Sequence, residues 1–174
     1  NLIAFNALDG VNVVDGSGNS VLGNQIHSNS GLGINLGAAG VTNNDAAPDS
    51  DTGANNLQNF PVLTRAVTNA SNRLAVGGTL ATAANTYYRI EIFSNTSGDV
   101  SGNGEGQTYL GFVNVLTNGS GNATWGTEIT ANVAAGAVIS ATATRLDASL
   151  NPVETSEFAA NITTVNQALV VTNT

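Results

Sequence analysis

The sequence predicts an all-β chain, a short parallel β-helix of about two coils followed by a seven-stranded immunoglobulin-like β-sandwich. Three observations carry that expectation. The first 36 residues write one pattern twice, the remainder alternates short Val-, Ile-, Thr- and aromatic-rich runs with turn residues, and no stretch reads as a credible helix. The implied divisions are coils at 1–40, an acidic linker loop at 41–59, the sandwich at 60–164 and a C-terminal strand or tail at 165–174.

The repeat has an offset of 23 residues, which lays Ile3 on Ile26, Asn6 on Asn29, Gly10 on Gly33 and Asn12 on Asn35. Val11/Ile34 and Val13/Leu36 keep their aliphatic character. Short aliphatic strands between Asn and Gly corners are the signature of a parallel solenoid. Gly and Asn accept a left-handed backbone cheaply, and stacked Asn amides bond from coil to coil. Strands are expected at Leu2–Ala4, Val11–Val14, Ser20–Leu22, Gln25–His27 and Ile34–Leu36. Two coils cannot close a core, so something must cover the open end at Asn1. The chain opens inside a repeat rather than at Met, which predicts a processed or trimmed piece of something longer.

In the second region, strands are expected at Val62–Thr68, Arg73–Leu80, Thr86–Ser94, Thr108–Leu116, Ala123–Glu128, Ala137–Arg145 and Ser156–Thr163. The spacing is that of an immunoglobulin-like sandwich. Tyr88, Ile90 and Ile92 alternate onto one face, and the lone Trp125 reads as core rather than as a sugar-stacking residue. The apolar block Ala168–Val171 lies beyond these seven strands.

Gly31–Gly37, Val41–Asp45 and Asp49–Leu63 resemble the end of the right-handed parallel β-helix repeats of large bacterial secreted and surface proteins. Gly104–Gly111 and Thr155–Phe158 resemble signatures of the β-sandwich that follows them. The resemblance implies an extracellular structural or adhesive role and no established activity. Family members carry many coils before this point, whereas two remain here.

Composition narrows the function further. Charged residues are 9% of the chain, net charge is −8, and the four basic residues are all Arg. A phosphate-backbone partner, and hence nucleic acid, is not expected, and neither is membrane insertion. Cys and Met are absent, which excludes thiolate chemistry and suits a long-lived extracellular protein. With a single histidine, His27, expected to face outward, no enzymatic activity is expected.

The strongest candidate site is Asp45, Asp49, Asp51 and Asn55, whose spacing resembles the first half of a Ca²⁺ loop. The bidentate Glu at the twelfth position is missing, with Phe60 there instead, and the same residues read equally as a solvated acidic turn. Asp99–Glu105 is a weaker candidate and reads as a Gly-rich hairpin loop. Glycosylation sequons occur at Asn69, Asn95, Asn118, Asn122 and Asn161. The expected role is an extracellular subunit of a fibre, sheath or surface layer. Copies would join head to tail, an apolar tail strand pairing with the open coil at Ile3, Val11 and Val13. The alternative is a cell-surface adhesion module that holds a surface polysaccharide.

Overall fold

The computed structural model describes residues 1–69 and 71–167. In it, β1 (Leu2–Ala4), β2 (Val11–Val13), β3 (Gln25–His27) and β4 (Ile34–Leu36) form two parallel pairs, β1 with β3 and β2 with β4. Ile3 stands opposite Ile26, Val11 opposite Ile34 and Val13 opposite Leu36, so the sequence offset is the spacing of the ladder. Ile26, Ile34 and Leu36 are buried. The corner residues Phe5 and Ser28 occupy equivalent left-handed positions at φ 60° and 58°. Asn6 Nδ2 donates to Asn29 Oδ1 at 2.8 Å, and Asp9 accepts from Leu32 N at 2.8 Å and Asn35 Nδ2 at 2.9 Å. Side chains therefore repeat the backbone's bonding between the first pass of the chain (1–23) and the second (24–37), each forming one coil.

Ser20–Leu22 is not a strand. Its neighbourhood bonds sideways, since Val21 N donates to Thr155 Oγ1 and Thr155 N to Asn19 O. These groups are taken by the following sheets, not by another coil.

Those sheets comprise β5 (Val62–Asn69), β6 (Arg73–Ala81), β7 (Tyr87–Asn95), β8 (Thr108–Leu116), β9 (Asn122–Thr130), β10 (Val138–Leu146), β11 (Pro152–Thr155), β12 (Ile162–Thr163) and β13 (Val165–Asn166). One sheet runs β11-β10-β7-β8, with β12 also on β10, and the other runs β13-β5-β6-β9. Their shared core holds Leu74, Val76 and Leu80 against Tyr88, Ile90, Ile92, Ile139 and Ala141, with Trp125 buried among them. The expected strand Ser156–Thr163 is broken instead. A straight strand would turn Glu157 and Phe158 to opposite faces, yet both reach the coils, Glu157 to Leu36 N and Phe158 into the cluster of Ile26 and Ile34.

The coils lie against the outer face of the β7/β10 sheet. Glu91, Phe93, Ser140, Thr142 and Thr144 point away from the shared core yet are buried. Residues 41–59 are likewise no free linker. A short 3-10 turn at Ala54–Leu57, with Asn55, Asn56 and Leu57 at positive φ, tucks Asn55, Gln58 and Asn59 into the junction. At the far end, β13 pairs in parallel with Val67 and Thr68 of β5, so the start of the expected tail belongs to its own sheet. The donor block Ala168–Val171 lies outside the described residues.

Candidate functional site: the coil junction and its open edge

Four glutamates of the second region enter the junction and accept hydrogen bonds from the coils and from residues 41–59. Glu91 accepts from Gly23 N at 2.8 Å, Glu105 from Asn29 Nδ2 at 2.7 Å, Glu154 from Asn56 Nδ2 at 3.0 Å, and Glu157 from Leu36 N and Thr42 N, each at 2.9 Å. All four are buried. Arg89 and Arg145 neutralise Glu91 and Glu154 at 2.8 and 2.7 Å. Glu105 and Glu157 are held by N–H groups instead, and burial pushes both carboxyls above the ordinary glutamate value. Phe158 wedges between the regions, edge-on to Phe93 at 5.3 Å. A Cβ added to Gly33, Gly104 or Gly106 would come within 2.8 Å of its ring or Cβ, so a larger residue at any of the three would have to displace Phe158.

These contacts close one side of the coil pair. Ile26 exchanges hydrogen bonds with Gly106, at 2.9 and 2.6 Å, and Leu36 N is taken by Glu157. Among the described residues the opposite side is open. Val11 N bonds to Gly33 O and Gly37 N to Val13 O, so the alternation of a parallel ladder turns the N–H and C=O of Asn12 to the free edge. The same alternation exposes those of Leu2 and Ala4, since Asn1 O and Phe5 N are engaged with the second coil. Around this edge Phe5 is 79% exposed, Leu8 78% and Leu2 62%.

The predicted metal residues divide. Asp45, Asp49 and Asp51 each bring a carboxylate oxygen within 4.8 Å of the others, at the mouth of a cleft of about 310 Å³ that Asp49 and Asp51 line with Tyr88, Arg145 and Glu154. Burial raises the Asp49 carboxyl above its ordinary value, partly offset by Asn59 N and reinforced by the charge of Asp45. Asn55 stands apart. Its Oδ1 accepts from Asn19 N and Nδ2, and its Nδ2 donates to Asn19 O and Thr155 O, which commits the amide to the junction. The three aspartates converge without it.

The other candidates are dispersed. Glu105 serves the junction, and Asp99 accepts from Ser101 N in a turn. His27 stacks edge-on to Phe5 at 5.8 Å and reaches Ser28 Oγ. Among the sequons, Asn118 and Asn122 are exposed at the β8–β9 turn, whereas Asn95 is buried with Nδ2 bonded to Glu105 O. Sequence reasoning missed the junction glutamates. Their one visible signal is Arg89-Ile-Glu91, an opposite-charge pair at i, i+2 on the face opposite Tyr88.

No protein-family model matches the chain, and no curated protein matches it significantly.

Proposed function

We propose that the protein is a non-catalytic extracellular structural module, β-helix coils leading into an immunoglobulin-like β-sandwich, that assembles with copies of itself through the free edge of β1 and β2. The observation that carries this reading is the asymmetry of the coil pair. One side is sealed by Gly106, Glu157 and the 3-10 turn, while the other leaves backbone groups with no partner among the described residues, beside exposed Leu2, Phe5 and Leu8. An edge of this kind accepts another strand, because main-chain hydrogen bonds supply affinity and apolar side chains exclude water. The sealed side prevents coil-on-coil stacking at both ends. Head-to-tail growth therefore needs a separate strand as donor, the role expected of the chain's last residues. Sedimentation over a concentration series tests the reading, with association expected for the parent chain and lost in Leu2→Lys/Phe5→Lys. A parent chain that stays monomeric at high concentration would contradict it.

Asp45, Asp49 and Asp51 are proposed to take Ca²⁺, on the strength of their convergence. No described helix is long and apolar enough to cross a membrane, and the proposed location is the cell exterior. A second reading, adhesion to a surface polysaccharide, draws on Tyr87 and Phe112, which are 42% and 47% exposed, with the Arg89 guanidinium 3.6 Å from the Phe112 ring centre. Trp125 takes no part in it, being buried.

A further inference from the structure

Gln58 and Thr82 meet in the junction. The left-handed run Asn55–Leu57 turns the chain inward just before Gln58, and Thr82 follows the last residue of β6. Both side chains are buried, Gln58 at 5% exposure and Thr82 at 0%. Gln58 Nε2 donates to Thr82 Oγ1 at 3.0 Å and also to Asn59 O at 3.0 Å, which fixes the amide. The same hydroxyl lies 3.3 Å from Asp49 Oδ2 and 3.0 Å from Tyr88 Oη. A buried hydroxyl and a buried carboxamide are thus packed together against a half-buried carboxylate on the wall of the cleft that Asp49 lines. Such a group needs no more than a hydrogen bond to be satisfied, but its components are also those of an acyl transfer.

We propose that Thr82 and Gln58 become joined by an ester bond. Thr82 Oγ1 attacks Cδ of Gln58, one bond beyond the nitrogen it already touches, after the amide releases its bonds to Thr82 Oγ1 and Asn59 O and rotates about the terminal side-chain torsion of Gln58. Asp49 takes the hydroxyl proton and returns it to the amide nitrogen as the tetrahedral intermediate collapses. The Cδ–Nε2 bond breaks, an Oγ1–Cδ bond forms and ammonia leaves. Every atom is accounted for without a cofactor or an oxidant. Once the rotation aligns Oγ1 with Cδ, the intramolecular attack replaces a bimolecular encounter, with an effective molarity on the order of 10⁵ M or more for well-oriented groups. Loss of ammonia to solvent draws the reaction forward, and burial shields the ester from hydrolysis. The product ties the loop after the coils covalently to the turn that leads from β6 into β7.

Intact-mass spectrometry of the full chain, aged at neutral pH with a chelator so that no cation withholds Asp49, tests the proposal. The expected mass is that of the sequence less one ammonia. Trypsin is then expected to yield the peptide ending at Arg65 joined to Leu74–Arg89, and hydroxylamine to separate them. Thr82→Val is expected to keep the full sequence mass and give separate peptides. Should that variant fail to fold, Asp49→Asn is expected to accumulate the joined species at least tenfold more slowly. A parent chain at full sequence mass after ageing would overturn the proposal. So would an ammonia loss confined to a single peptide, or a joined species that hydroxylamine leaves intact.

Discussion

Phe158 and Glu157 do in two adjacent positions what the junction needs, one filling it and the other satisfying it. Phe158 is buried against three glycines and Phe93. Phe158→Ala is expected to cost about 3–5 kcal/mol, read from denaturant midpoints, as removal of a packed aromatic side chain does. Glu157→Ala leaves Leu36 N and Thr42 N without an acceptor, and a loss of at least about 2 kcal/mol is expected. The pH dependence follows from three carboxyls that burial raises, Asp49, Glu105 and Glu157. A raised carboxyl binds its proton more tightly folded than unfolded. Stability is therefore highest at or below the ordinary value, 4.5 for glutamate, and falls as pH rises through the raised value before levelling. Asp147, held low by hydrogen bonds from Asn151, acts only below its ordinary 3.8. Thermal midpoints from pH 4.5 upward should decline and then flatten, and a steady rise over that range would refute the assignment. None of these glutamate roles was legible in the sequence. Glu91 and Glu157 alternate or sit beside apolar residues as solvent-facing residues do, and only the packing of the coils on the outer sheet face turns that face into an interior.

The strands show how far periodicity carries. The coil register was legible because a parallel ladder repeats its side chains at fixed spacing, so Asn6 over Asn29 is both a sequence match and a hydrogen bond. The main strands of the two large sheets were legible from β-branched and aromatic runs between turns. What failed is instructive in the same terms. Ser156–Thr163 has strand composition, but its backbone bends so that Glu157 and Phe158 both serve the coils. The 41–59 segment reads as polar and loose, yet its Asn55, Gln58 and Asn59 amides are interior cross-links, which composition cannot distinguish from solvated ones. Of the candidate metal site, the convergence of Asp45, Asp49 and Asp51 was legible from spacing, and the diversion of Asn55 was not. Thermal melts with Ca²⁺ and with chelator should differ for the parent chain and coincide for Asp49→Ala/Asp51→Ala. Equal midpoints for the parent chain in both conditions would remove the metal. Within the coil, Gly33→Ala is expected to destabilise by about 1–3 kcal/mol, because its new Cβ overpacks against the Phe158 ring.

At the scale of the whole molecule the chain is layered as coils, a sheet whose outer face the coils cover in part, and a second sheet, with polar groups rather than oil at the first boundary. That boundary is specific because each buried carboxylate must meet its own N–H partners. It also fixes which side of the coils stays free. Amide hydrogen exchange followed residue by residue across protein concentrations tests the assembly claim most directly. Association through this edge predicts that the amides of Leu2, Ala4 and Asn12 exchange rapidly in dilute solution and become protected as concentration rises. The amides of Val11 and Ile26, already bonded to Gly33 and Gly106, should be protected throughout. Exchange at Leu2, Ala4 and Asn12 that is the same at every concentration, while the protein self-associates or stays monomeric, would contradict it.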